Sequence, residues 1–246
     1  MALDDVRRDW TRLGAEDPLW AVMLLPGKQG GRWDVEEFLA TGRADVEHTW
    51  AWLTRLGLPT RFGRVLDFGC GVGRLSQALA AHADEVVGVD ISPTMLEQAR
   101  RLDRSGGRCR FLLNDAPDLG LLAGASVDLV YSMLVLQHVP RAAVDAYLAE
   151  FLRVLRPGGL AVVQLATAPL WTAKGVAWRL LPFPVIAWAQ RRLLRYPAPM
   201  RMTCVPDADV TALVARHGGA VLDRRPDPTY TEDWRATRYV IRREAD

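Results

Sequence analysis

The stretch Val65 to Ser76, V-L-D-F-G-C-G-V-G-R-L-S, leaves this chain little choice of fold: an apolar strand ends in a carboxylate and passes through three alternating glycines into a helix. Val65 and Leu66 supply a buried strand. Gly69, Gly71 and Gly73 free the backbone to turn tightly and to approach a bound group more closely than a Cβ allows. A helix from Val72 to about His82 then points its free N–H groups into the crevice at the carboxyl edge of a sheet.

Strand and helix signals alternate beyond that unit. Apolar runs at Arg64 to Phe68, Glu85 to Asp90, Arg108 to Leu113, Val127 to Met133 and Leu160 to Ala166 predict five strands with helical crossovers, hence a parallel sheet. Ser92-Pro93 marks a helix start, serine as N-cap and proline at the first helical position. Pro140 opens another helix, with Val144, Leu148, Phe151 and Leu155 on one face until Pro157-Gly158-Gly159 ends it. Pro206 opens a helix to His217, Gly218-Gly219 closes it, and strands at Ala220 to Arg225 and Thr237 to Arg242 follow. Ahead of the sheet, an amphipathic start at Asp4 to Leu13 and the loop P-G-K-Q-G-G lead to a helix capped by Asp34 and Glu37 and stopped by Gly57 and Pro59. Gly42 is placed to divide that helix in two. Trp33, Phe38, Trp50 and Trp52 give the segment an apolar face that must pack on something.

The acids decide what the glycine turn receives. The spacing is G-x-G-x-G rather than G-x-G-x-x-G, and Asp67 stands just before the first glycine, where a fixed negative charge repels a pyrophosphate and suits an ammonium or sulfonium. Asp90 ends the second strand at roughly the twenty-residue separation of an acid that grips ribose hydroxyls. Asn114 and Asp115 follow the third strand with side chains able to hydrogen-bond an adenine edge.

These segments together resemble the class I S-adenosylmethionine-dependent methyltransferase family, over roughly Arg61 to Leu165 and with the motifs in order. V-L-D-F-G-C-G-V-G resembles the first motif, V-G-V-D-I-S the second, N-D-A at Asn114 to Ala116 the adenine-side motif, and L-R-V-L-R-P-G-G-L from Leu152 to Leu160 the signature before the fifth strand. The resemblance implies a Rossmann-like, doubly wound α/β fold: a mostly parallel seven-stranded sheet with an antiparallel C-terminal strand. A helical N-terminal cap over residues 1–60 precedes a core over 61–246, which includes a lid at 168–203 after the fifth strand. It also implies that S-adenosylmethionine is the cofactor and S-adenosylhomocysteine the product. Gly69, Cys70, Gly71 and Gly73 would line its methionine part, Asp67 would face its amino group, Asp90 would take the ribose hydroxyls with Ile91 and Met95 beside it, and Asp115 would approach the adenine between Asn114 and Ala116. Met133 and His138 would lie at the end of the fourth strand, near the methyl group.

The segment expected to choose the acceptor has an unusual composition. Between Phe151 and Pro206 there is no aspartate or glutamate, while eight arginines and lysines occur there among many apolar residues. A helical lid broken at Pro182 and Pro184 has three readings. Trp171, Trp178, Leu181, Phe183, Ile186 and Trp188 cover core or the partner of a homodimer; or they roof an apolar pocket for a large small molecule; or the segment rests as a basic amphipathic element on a membrane. Trp33, Phe38, Trp171, Trp178, Tyr196 and Tyr230 are the substrate-pocket candidates.

Methyl transfer from a sulfonium is an in-line displacement, in which positioning supplies most of the acceleration and a base is optional. His138 is the catalytic candidate, as a base or as a residue that shapes the site. His217 reads as a favourable charge at a helix end, and His48 and His82 as structural. With a formal charge of +2 and no lysine-rich tail, nucleic acid is not the expected partner. Three cysteines without metal-ligand spacing predict a reducing compartment and no metal site. An N-terminus without an apolar leader, and no apolar run of transmembrane length, predict a cytosolic location. The expected activity is methylation of a hydrophobic natural-product-like or lipid-like acceptor, at oxygen rather than nitrogen or carbon. The alternatives are a methyltransferase fold used for cyclisation or other non-methylating chemistry, and an NAD-dependent oxidoreductase.

Overall fold

The structure is a computed structural model that describes residues 3–227 and 233–245. Five parallel strands, β1 (Phe62–Phe68), β2 (Ala83–Asp90), β3 (Cys109–Leu113), β4 (Val127–Ser132) and β5 (Leu155–Pro169), join β6 (Gly219–Pro226) and β7 (Trp234–Arg243) in one seven-stranded sheet. The order is β3-β2-β1-β4-β5-β7-β6, with β7 antiparallel to both neighbours. Rossmann-like winding is therefore as expected, and the order reverses beside β1, where a crevice opens at the carboxyl edge.

Strand interiors are buried on both faces, as a central parallel sheet requires. On one face Leu66, Val87, Val130 and Val163 pack against Tyr147, Leu148 and Phe151 of α6 (Arg141–Val154) and Val210 of α9 (Asp207–Arg216). On the other, Val65, Val86, Leu129 and Val162 pack against Trp50 and Leu53 of α3 (Val35–Arg55) and Leu75 and Leu79 of α4 (Arg74–Leu79), with α5 (Pro93–Leu102) alongside. Helices α1 (Leu3–Glu16) and α2 (Pro18–Val22) lie over the carboxyl edge, where Leu13, Trp20, Trp33, Phe38, Val72 and Met95 form a separate cluster. The lid is α7 (Ala173–Leu180) and α8 (Phe183–Arg192), interrupted at Leu181-Pro182 as the prolines predict.

The caps follow the sequence. Asp34 accepts from the Glu37 N–H at 2.9 Å, and Ser92 accepts from the Met95 N–H at 3.2 Å. Three departures from the expected elements have a local cause. Helix α3 runs unbroken through Gly42, because that glycine marks a close approach: a Cβ there would lie 2.5 Å from the Arg74 carbonyl oxygen of α4. Helix α4 starts at Arg74 rather than Val72, since Gly73 at φ +79 is its left-handed N-cap. Strand β5 starts at Leu155 instead of Leu160: Leu155 pairs with Val127 and Leu160 with Leu129, so Pro157-Gly158-Gly159 forms a bulge within the strand.

Candidate active site

The glycine loop and the ends of β2 and β4 open into one cavity of about 760 Å³, roofed by α1, the strap Val22 to Pro26, and the lid. Its walls are mainly apolar, with few polar groups: Asp90, Asn114, Gln137, His138, Lys174 and Gln190. That composition suits an organic ligand held by shape and oriented at a few points.

Asp90 is the anchor of the inner end. Its Oδ2 accepts from the Gly71 N–H and its Oδ1 from the Ser92 N–H, both at 2.8 Å. Burial raises its pKa to about 6, against the pull of those donors. Each oxygen thus keeps acceptor capacity toward the cavity, which fits a pair of vicinal hydroxyls. The loop beside it is shaped for close approach. Gly69 has φ +71, and a Cβ there would strike Val135; Gly71 has φ +52, and a Cβ there would meet Val22 of α2 at 2.8 Å. Asn114 lines the cavity, its backbone N–H given to the Asp90 carbonyl and its Nδ2 to the Asp118 carbonyl at 2.9 Å. Ile91 and Met133 complete the apolar walls of this end. A nucleoside with a short charged tail is compatible with these residues.

The remaining cofactor candidates lie behind that surface. Asp67 is 1 % exposed and accepts from the Ser76 hydroxyl at 2.6 Å, so it anchors α4 and is not among the residues that line the cavity. Burial raises its pKa to about 7. Cys70 turns into the core against Gly88, Gly73 rests on Phe111, and Met95 packs in the cap cluster. Asp115 is turned outward into an ion pair with Arg7 of α1 at 3.0 Å. Ala116 offers its carbonyl to Tyr147.

His138 does line the cavity, at the end of a 3₁₀ turn, Leu136–His138. Its Nδ1 donates to the Arg201 carbonyl at 2.7 Å, and its Nε2 accepts from the Gln137 amide at 3.3 Å. Burial lowers its pKa to about 4, so the ring is neutral at physiological pH and a weak proton acceptor. Trp10 of α1 meets it edge-on at 5.2 Å between ring centroids. The same turn is held by Thr203, whose N–H and hydroxyl bond the Gln137 and Val139 carbonyls, both at 2.7 Å. His138 is thus a strut between the end of β4 and the base of the lid. His217 pairs with Asp145 at 3.0 Å, His82 with Glu47 at 3.1 Å, and His48 is exposed.

Of the pocket candidates, Trp178 and Tyr196 line the cavity. Trp33 and Phe38 do not: they pack edge-on against each other at 5.4 Å, and the Trp33 indole donates to the Met23 carbonyl. Trp171 is 81 % exposed with Arg179 over its ring. Tyr230 lies outside the described residues.

Three buried glutamines were not anticipated. Gln164 of β5 accepts from the Leu134 N–H at 2.7 Å and so supports a residue at φ +62. Gln190 grips both backbone groups of Met200, and Gln137 carries a buried Oε1 without a protein partner among the described residues. Their signal was a lone amide within an apolar strand, turn or helix, since such a group is buried only where the fold supplies its hydrogen bonds.

Residues 65–159 match the family described as Methyltransferase domain. A 2-methyl-6-phytyl-1,4-hydroquinone methyltransferase of Synechocystis is 33 % identical over 155 residues, 63 % of this chain and 48 % of that protein. A demethylmenaquinone methyltransferase of Clavibacter sepedonicus is 39 % identical over 120 residues, 48 % of this chain and 47 % of that one. The chain therefore spans about half the length of these curated relatives. Among solved structures, a magnesium protoporphyrin IX methyltransferase of Synechocystis with bound S-adenosylhomocysteine superposes with a TM-score of 0.65 at 21 % identity, covering 97 % of this chain and 98 % of that one. That likeness supports the fold.

Proposed function

From the match of residues 65–159 to the methyltransferase domain family, we propose that this chain is a class I S-adenosylmethionine-dependent methyltransferase that methylates a hydroxyl oxygen of a hydrophobic, lipid-like small molecule held under the α7–α8 lid. One observation carries the reading. The Asp90 carboxylate and the Gly69–Gly71 turn open into the same apolar cavity as the lid, so donor and acceptor sites are continuous. The acceptors in the names of the two relatives, a phytyl-bearing hydroquinone and a demethylmenaquinone, support an apolar acceptor.

S-adenosylmethionine supplies an electrophilic methyl group on a sulfonium. The chain's own residues then act by binding and placement. Asp90 holds the ribose hydroxyls, Asn114 borders the adenine, and Gly69 and Gly71 let the methionine part lie against the backbone. Trp178 and Tyr196 bound the acceptor and help the lid exclude water. His138 contributes position: its Nδ1 proton is committed to the Arg201 carbonyl and its Nε2 lone pair to the Gln137 amide, which fixes the tautomer and holds the turn after β4 against the cavity.

Calorimetry with S-adenosylhomocysteine tests the donor site. Asp90→Ala is expected to weaken binding by about 1 to 3 kcal/mol through loss of charge-assisted hydrogen bonds. Unchanged affinity would remove Asp90 from the site, and NADH binding without S-adenosylhomocysteine binding would overturn the reading. Formation of S-adenosylhomocysteine in the presence of a prenylated hydroquinone tests the acceptor class. Tight donor binding with no turnover on any phenolic or quinol acceptor would overturn the oxygen-acceptor reading, and no turnover on amine or carbon acceptors as well would assign the cavity to non-methylating chemistry.

A further inference from the structure

The lid leaves large apolar side chains in water on its outer side: Trp171 is 81 % exposed, Leu180 76 %, Leu193 68 % and Trp188 58 %. Leu25, Leu181, Val185 and Leu194 are exposed and also belong to the cavity wall, so they form an apolar rim at its mouth. Along α8 the sequence separates the two sides: Ile186 and Gln190 are buried, while Val185, Trp188 and Arg192 recur on the outer face. A soluble surface rarely gathers such groups without a partner to cover them.

Charge selects the partner. No carboxylate occurs in the sequence from Phe151 to Pro206. Lys174 and Arg191 reach Asp233 and Asp9, but Arg179, Arg192 and Arg195 have no carboxylate partner among the described residues. A second copy docked through this face about a two-fold axis would bring the same unpartnered arginines to it and no carboxylate from this segment to meet them. An anionic surface removes that conflict, and exposed tryptophans with apolar neighbours and arginines are the side chains that settle at a lipid headgroup boundary.

We infer that the outer face of α7 and α8 docks on an anionic lipid bilayer, with the cavity mouth facing the apolar interior, so that a lipid-like acceptor enters without crossing water. The surface stands on exposure and charge alone; only the identity of the cargo rests on the proposed methyl transfer.

Co-sedimentation of the full chain with vesicles tests it, using phosphatidylcholine alone or with roughly one part in three phosphatidylglycerol. The protein is expected to pellet with the anionic vesicles only, and to be released as salt rises from about 50 to about 500 mM. Trp188→Ser with Leu193→Ser, and separately Arg192→Glu with Arg195→Glu, are each expected to lower the partition coefficient by about tenfold or more. Neither pair lines the cavity, so S-adenosylhomocysteine affinity and circular dichroism should stay as in the parent. The inference is overturned by absence of pelleting, by equal pelleting with neutral vesicles, or by variants that bind lipid as the parent does. A lipid-free dimer in sedimentation velocity that the same variants dissociate would assign the face to a second copy instead. Retained S-adenosylhomocysteine binding in any of those cases would leave the methyltransferase reading intact while this one fails.

Discussion

Asp67 and Asp90 both end parallel strands beside the glycine turn, yet the fold gives them different work. Asp90 borders the cavity with two backbone donors, whereas Asp67 sits under α4, bonded by Ser76 and with the Arg74 charge nearby. A carboxyl whose pKa rises from 3.8 to about 7 on folding keeps its proton in the native chain at pH values where the unfolded chain has lost it. Its contribution to stability therefore declines as pH rises through that window. Asp67→Asn is expected to abolish this decline, becoming more stable relative to the parent by a few kcal/mol, to order of magnitude, between about pH 4 and pH 7. Urea unfolding across that range checks it, and parallel curves for the two proteins would mean that Asp67 stays ionised. His138 follows the opposite rule for a base. With its pKa near 4 it is neutral throughout the physiological range, so His138→Asn should reduce turnover about tenfold by loosening the turn after β4. The kcat profile between about pH 6 and pH 8 should keep its shape. A parent profile with a limb near 6.5 that the variant lacks would make His138 a base.

At the scale of elements, the glycine at the middle of α3 shows how a helix-breaking residue can serve a helix. Gly42 lies where α3 crosses α4, and the nearest atom to an added Cβ is the Arg74 carbonyl, a backbone group that cannot rotate aside. Gly42→Ala is expected to cost about 1 to 3 kcal/mol, because the two helices must separate, although alanine has the better helix propensity. Chemical denaturation reads the change, and a gain in stability would show that the crossing has room. The lid presents a different balance: its inner side is fixed by Ile186 and by the Gln190 grip on Met200, and its outer side keeps its apolar groups in solvent.

The whole molecule is tied together by a buried charge cluster that joins chain ends. Arg238 of β7 donates to Asp45 of α3 at 2.8 Å and to Asp227 at 2.9 Å, and also to Thr49, which in turn meets the Tyr131 hydroxyl of β4 at 2.9 Å. The C-terminal strand thus clamps α3 to the sheet. Arg238→Met is expected to destabilise by about 3 to 5 kcal/mol, since it takes the cation from between two buried carboxylates. Thermal unfolding checks this, with a fall of less than about 1 kcal/mol showing the cluster to be dispensable.

The sequence alone determined what depends on neighbours in the chain. Glycine spacing, strand-ending acids, the caps at Asp34 and Ser92, and the proline break in the lid are local chemistry, and they suffice to place the sheet, the glycine turn and Asp90. The tertiary structure decided what depends on which face a side chain meets. It turned Asp67 beneath α4, sent Asp115 to Arg7, and buried Trp33 and Phe38 against each other. It also brought Trp10, the Val22 strap, Gln137 and Gln190 to the cavity, and set Gln164 behind it under Leu134. Those outcomes are set by packing between segments far apart in sequence, where a one-face rotation of a strand end or helix changes a ligand contact into a core contact and leaves no trace in the local pattern.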